Sequence, residues 1–394
     1  MQPATLARLL NVSGIPHAFT LALLNGCHVF GFSLPLTVIP LLALELLGDP
    51  QQVSQVLLAV GGCGLIGALT VPMIAEVLGR RRAGILGTVC ILIAAFLMAQ
   101  NSVVTLIAGA GLYSFGYFAV DVSIAVAVMD RIPRRHMARF ETLRMALIGT
   151  GFTLGPGLGV ALQQAGGLWL PFAAMALCAT GVCTYALATN LVSNRIGLGI
   201  ARANPLRFVP RFFRQPRLRL AWTLAAARSV WWNVFFVYGP IYCVESGFSH
   251  GTAGLVVSLG TLPVILAPLW GRLFARFGLR GMLATGFLAT GTVTLAMAFS
   301  TGWPQLAVCL MLLGTVTAAW IDAAGNALFL RAARPLERAQ MASVFSTFKD
   351  AGRIIPLGVF SVVLLAFPLP AVFVITGAAT MGVAAWTRHI PRRY

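Results

Sequence analysis

Four ionisable side chains lie deep inside long apolar runs of this 394-residue chain: His28, Asp121, Arg228 and Asp322. A charge near the centre of a bilayer is costly, so groups of this kind mark transport pathways, proton relays or buried pairs. Asp121 precedes Arg131 by ten residues, about 15 Å of helix and about half the hydrocarbon thickness. Asp322 precedes Arg331 by nine, and Arg228 follows Arg219 by nine, which leaves it slightly shallower but still submerged. The chemistry open to these groups is proton binding. Desolvation favours the neutral form of an aspartate and a nearby arginine favours the ionised form, so the two effects compete. A histidine titrates near neutrality without help. In the competing reading, Arg228 and one aspartate neutralise each other and brace helices.

Aromatic residues recur beside these charges. Tyr113, Tyr117 and Asp121 fall every fourth residue, which places two phenols and a carboxylate on one helix face. Arg228, Trp231, Trp232, Phe235 and Tyr242 form a similar series, Trp320 and Asn326 flank Asp322, and Asn25 lies one turn before His28. A wall of rings with a few polar groups suits an amphipathic ligand with flat apolar parts, although packing toward lipid explains part of the same pattern.

The elements that carry these residues are membrane spans. Hydrophobic residues make up 58% of the chain and charged residues 10%, more apolar surface than a soluble domain can hide. Spans are expected at 17–46, 51–75, 83–100, 103–130, 138–163, 169–192, 218–245, 252–275, 280–300, 304–331, 338–364 and 369–388. The runs are continuous rather than alternating, so the expected fold is an all-α membrane protein of twelve transmembrane helices, not a barrel.

Between the sixth and seventh spans, Ser193–Arg219 holds Arg195, Arg202, Arg207, Arg211, Arg214, Arg217 and Arg219 and no acid. Such a segment belongs on the cytoplasmic face. Loops on the opposite side, at 48–51, 100–102, 163–167, 246–252, 300–304 and 367–370, contain no Lys or Arg. The net charge of +18 is therefore an orientation signal and not a nucleic-acid footprint. An even number of spans puts both termini on the linker side, as does the basic tail Arg388–Arg393. The expected division is 1–192 as one six-helix half, 193–217 as a basic linker and 218–394 as the second half. The first span is too long for a cleaved signal, so no processing is expected. The seven cysteines fall in apolar runs and read as small core residues. Lys349 is the one lysine among 28 basic residues, a bias that suggests a GC-rich bacterial genome.

The halves repeat at an offset near 200: His28 with Arg228, Pro40 with Pro240, Glu45 with Glu245, Pro156 with Pro356, and, one residue either side, Gly79 with Gly278 and Asp121 with Asp322. Repeat-related halves place a substrate site between them near the midplane. After the second span, Pro72-Met-Ile-Ala-Glu76-Val-Leu-Gly79-Arg80-Arg81 resembles the Gly-x-Leu-Ala-Asp-Arg-x-Gly-Arg-Arg signature of the major facilitator superfamily. Its echo in the second half is Gly271-Arg-Leu-Phe-Ala-Arg-Phe-Gly278-Leu-Arg280. Pro72, Glu76 and Val77 depart from the signature, and Ala275 has lost the acid from the second copy. Gly151, Gly155, Pro156 and Gly159 resemble the glycine–proline motif of the drug–proton antiporter branch. Thr142 stands in place of the upstream glycine, and the fourth-span arginine of many such antiporters is missing.

The resemblance implies that the first, fourth, seventh and tenth spans line a central cavity. It also makes Glu76, Gly79, Arg80, Arg81, Gly278 and Arg280 a gating motif. Glu141 with Arg144, and Lys349 with Asp350 and Arg353, read as bracing or gate pairs, and Glu45 and Glu245 as outer-rim acids. No phosphate loop, metal-ligand spacing or nucleophile elbow supports ATP-driven pumping or enzymology, and no cofactor beyond a proton gradient is expected. The expectation is a monomeric proton-coupled exporter of drug-like compounds or a secreted metabolite, in a bacterial inner membrane. Its partners are an amphipathic small molecule, protons and lipid, with no nucleic acid. The alternatives are uptake by proton symport and a non-transporting scaffold or sensor. Buried titratable groups argue against the last.

Overall fold

A computed structural model describes residues 17–133, 136–191, 208–265, 267–324, 326–333 and 338–390, and the regular structure among them is helical, with no strand. Apolar chain without water can satisfy its backbone only within helices or closed barrels, and continuous apolar runs select the helix. Among the described residues, nine helices are long and apolar enough to cross a bilayer: Ala18–Leu47, Pro50–Leu78, Arg80–Met98, Val103–Arg131, Phe140–Gly166, Trp169–Ala188, Gly278–Ala298, Pro304–Ala332 and Pro370–His389. The other three expected spans are also helical. One is Pro216–Glu245, another is His250–Ile265 continued by the start of Ala267–Ala298, and the third is Arg338–Ser346 with Phe348–Val363. The arginines at 195, 202 and 207 of the basic linker lie outside the described residues.

The chain forms two compact units, Met1–Leu46 with Gly62–Ala201, and Leu47–Gly61 with Arg202–Tyr394. The helices in chain order begin with α1 (Ala18–Ser33), α2 (Pro35–Leu47), α3 (Pro50–Leu78), α4 (Arg80–Met98), α5 (Val103–Arg131), α6 (Met137–Gly166) and α7 (Trp169–Ala188). They continue with α8 (Val209–Phe213), α9 (Pro216–Glu245), α10 (His250–Ile265), α11 (Ala267–Ala298), α12 (Pro304–Asp322), α13 (Ala327–Ala332), α14 (Arg338–Ser346), α15 (Phe348–Val363) and α16 (Pro370–Trp386). Proline opens α9, α12 and α16, where its missing N–H costs nothing. The start of α3 groups with the second unit. There Ser54 and Tyr238 share a hydrogen bond of 2.8 Å, and Gln51 Nε2 donates to the Ser361 carbonyl at 3.1 Å.

Each unit packs its helices in the same pattern. In the first, α1 packs on α6, and α4 on α5 and α7; in the second, α9 packs on α15, and α11 on α12 and α16. The sequence repeat is therefore a repeat of internal packing. The glycine–proline segment of α6 makes one of these contacts. A methyl group at Gly155 would run into the Ser33 hydroxyl, and one at Gly159 into the Leu34 carbonyl. Ser33 Oγ donates to the Gly151 carbonyl at 2.8 Å and seals the approach. The matching contact in the second unit sets Gly352 of α15 against Ser229 of α9.

The signature loops share a backbone shape as well as letters. Gly79 has φ 84° and ψ 149°, and Gly278 has φ 66° and ψ 166°. Only glycine adopts that region without strain, so both loops turn on a residue that could be nothing else.

Candidate functional site

In the first unit, α1 and α5 bring their polar residues together through interleaved rings. The His28 ring stacks on Tyr117 with centroids 4.4 Å apart and planes 9° from parallel. Phe32, one turn along α1, meets Tyr117 at 4.2 Å and Tyr113 at 5.6 Å. Tyr113 is buried, and its hydroxyl donates to the Phe32 carbonyl at 2.7 Å, beside the break between α1 and α2. That bond fixes the register of α5 on α1.

Asp121 lies one turn beyond Tyr117 and is half-buried. It acts electrostatically on His28, Tyr117 and Arg144. Arg144 is itself engaged by Glu141 of the same helix through both carboxylate oxygens, with Nε to Oε2 at 2.8 Å. Among the described residues Asp121 makes no ion pair. Two polar atoms in this region have no hydrogen-bond partner there either: His28 Nε2 and Asn25 Oδ1, on residues 3% and 2% exposed. A buried acceptor or donor without a partner costs about 1–3 kcal/mol. Among the described residues, the first unit therefore holds an acid with no ion pair one turn from the tyrosine that stacks on His28, and an imidazole Nε2 with no partner.

The second unit answers the same positions differently. Arg228 Nε meets Asp322 Oδ1 at 3.0 Å, and Trp232 Nε1 donates to Asp322 Oδ2 at 2.7 Å. Both carboxylate oxygens are thus engaged by donors from α9. The Arg228 guanidinium also sits 5.8 Å from the Phe348 ring, within cation–π range, and lines a small apolar pocket with Leu224, Leu283, Leu328 and Phe345. Trp232 is accordingly a ligand of Asp322.

The remaining aromatics divide by face. Trp231 and Phe235 are buried and stacked at 5.9 Å, and Trp231 Nε1 donates to Thr294 Oγ1 of α11 at 2.9 Å. Phe235 presses on Gly260, so these two rings pack the interior of the second unit. Trp320 donates to the Met282 carbonyl at 3.0 Å, and Asn326 is exposed just beyond α12. Within the signature loop, Arg80 pairs with Asp130 at the C-terminal end of α5, Nη1 to Oδ2 at 2.9 Å, and the Arg80 carbonyl accepts from Ser123 Oγ at 3.0 Å. Glu76 is half-buried on α3, Arg81 is exposed on α4 and Arg280 is half-buried on α11.

Sequence reasoning did not single out Asp130 or the nearness of Arg144 to Asp121. The available signal for the first was an acid directly before Arg131 at a span end. For the second it was the three-residue spacing of Glu141 and Arg144 on the helix that packs on α1.

The family model described as Major Facilitator Superfamily matches residues 21–263 and 245–394. No curated protein matches the chain. Among solved structures, a POT family transporter in complex with 5-aminolevulinic acid is 13% identical, with a TM-score of 0.80 over 95% of each chain. The peptide transporter POT in complex with sulfate is 15% identical, with a TM-score of 0.75 over 97% of this chain and 95% of that one. The nucleoside transporter NupG is 14% identical, with a TM-score of 0.70 over 94% of this chain and 96% of that one. At these identities the likeness is one of fold.

Proposed function

The chain belongs to the major facilitator superfamily of transporters, and on that premise we propose that it is a proton-coupled importer of small amphipathic or polar molecules, acting by symport. The observation that carries the reading is the contrast between the two buried aspartates. Asp322 is held by an arginine and an indole, while Asp121 makes no ion pair among the described residues and lies one turn from Tyr117, which stacks on a histidine whose Nε2 lacks a partner among them. A carboxylate held by a cation is committed to that pair, whereas one with no ion pair is left to serve a proton site as the protein cycles.

Import is favoured over export for two reasons. The glycine–proline segment was the one sequence feature suggesting an exporter, and its glycines are accounted for by the contact of α6 with α1. The similar structures include transporters described by peptide and nucleoside cargo, and these classes supply the first compounds to try. The proposed setting is a bacterial inner membrane, with both termini on the cytoplasmic side.

The test uses purified protein in proteoliposomes with an entrapped pH dye and a panel of dipeptides, tripeptides and nucleosides. Inward cargo gradients should carry protons inward with wild-type protein and with Asp322→Asn where that variant folds. Asp121→Asn should retain cargo exchange and lose proton movement. Proton movement opposite to cargo would replace import with antiport. Full proton coupling in Asp121→Asn would remove Asp121 from the mechanism.

A further inference from the structure

The internal repeat sets His28 of α1 at the position of Arg228 in α9, and Asp121 of α5 at the position of Asp322 in α12. Within each unit the corresponding helices pack together, α1 on α5 and α9 on α12. In the second unit that geometry yields an ion pair, Arg228 Nε to Asp322 Oδ1 at 3.0 Å. We propose that His28 and Asp121 form the counterpart pair in the first unit, made only when His28 Nε2 carries a proton, and that this pair is the proton-binding site of the transport cycle. The inference rests on the proton-coupled reading above and deepens it. The proton resides on the imidazole, and Asp121 is its counter-ion.

Two observations beyond the repeat support the pairing. His28 is 3% exposed and its Nε2 lacks a hydrogen-bond partner among the described residues, the state of a neutral imidazole awaiting an acceptor or a proton. Asp121 lies one helical turn beyond Tyr117, whose ring stacks on the imidazole at 4.4 Å. The other groups facing His28 do not take its place. From α5 these are Tyr113, whose hydroxyl is committed to the Phe32 carbonyl, and Tyr117, stacked flat on the imidazole. From α6, Arg144 lies in the field of Asp121 and Tyr117 and is paired with Glu141. From α7 the group is Cys178, which packs near Gly31, and α1 itself adds Cys27. Arg144 is shared between Glu141 and the field of Asp121, so two carboxylates face one guanidinium in this cluster when His28 is neutral. Transfer of a proton from water to Nε2 makes an imidazolium, and its N–H then donates to the Asp121 carboxylate. The described interior becomes neutral, as the second unit's pair already is. Loss of the proton restores the excess negative charge, which favours readmission of water to the site.

The test is a titration that needs no transport. Protein labelled with 15N,13C-histidine is placed in nanodiscs, and the His28 signal is identified by its disappearance in His28→Gln. In wild-type protein the His28 signal should show a protonation step above about pH 5. In Asp121→Asn its midpoint should fall by about one pH unit or more, because the opposite charge that favours the imidazolium is gone. Asp322→Asn should leave it in place. A His28 that stays neutral down to about pH 5 in wild-type protein, or a midpoint unmoved by Asp121→Asn, overturns the proposal. If Asp121→Asn does not fold, the wild-type titration decides alone. Transport that proves independent of protons, with this titration intact, would overturn the functional reading and leave the pair standing.

Discussion

The Arg228–Asp322–Trp232 triad makes a quantitative prediction about buried charge. Asp322 is held on both oxygens, by an ion pair with Arg228 at 3.0 Å and a hydrogen bond from Trp232 at 2.7 Å. Removing one partner of a buried pair costs about 3–5 kcal/mol, chiefly because the other charge is left uncompensated. The side chains here are 14% and 26% exposed, so the lower end, about 3 kcal/mol, applies to Arg228→Ala and to Asp322→Asn. If the two losses were independent, the double variant would lose about 6 kcal/mol. If the stranded charge is the cost, the double variant should lose roughly half that, a coupling of about 3 kcal/mol. Trp232→Phe should cost about 1–2 kcal/mol alone, and much less in the Asp322→Asn background, where its acceptor is neutral. The measurement is unfolding by SDS titration of purified protein in mild detergent, with all variants in one buffer. Additivity within about 0.5 kcal/mol would refute the reasoning, because it would mean neither charge depends on the other.

Gly79→Ala and Gly278→Ala should each cost about 1–3 kcal/mol by the same assay, since both place a Cβ on backbone that only glycine adopts easily; variants as stable as wild type would show that the loops relax. Gly155→Leu should prevent accumulation of folded protein by driving α6 off α1 at Ser33, as read by size-exclusion of a fluorescent fusion. Reporter fusions at Gly48, Arg202 and Ser300 should read outside, inside and outside, and an outward Arg202 would reverse the assignment of faces.

Much of the architecture was legible because lipid reduces the choice of structure to a single element, and span length and loop charge then carry most of the information. The repeat was legible residue by residue, and the two loop glycines could be recognised because a positive φ leaves so few alternatives. The orientation of rings was not. On a helix such as α9, apolar nearly all round, periodicity does not tell the face toward Thr294 from the face toward Asp322, so Trp231 and Trp232 look alike in sequence and differ in the fold. The grouping of residues 47–61 with the second unit depends on contacts far apart in the chain, such as Gln51 to Ser361, which no local pattern announces. Asp130 was overlooked for an opposite reason: an acid at a span end satisfies itself in water and asks for no partner.

The seam where Gly151, Gly155 and Gly159 of α6 meet Phe30 and Ser33 of α1 and Leu34 just beyond it has a mechanical consequence. Two helices in backbone contact, pinned by a hydroxyl, cannot slide or roll past each other without steric collision, so they act as a single stiff beam. His28 and Arg144 ride on opposite members of that beam, and their separation is preserved through whatever larger movement the first unit makes. The surroundings of the imidazole are then altered by events that leave the beam intact, a proton arriving, a side chain turning or α5 shifting against it. Stiffness of this kind converts a small local change of charge into displacement of a whole helix pair, because the movement cannot be absorbed by sliding along the seam.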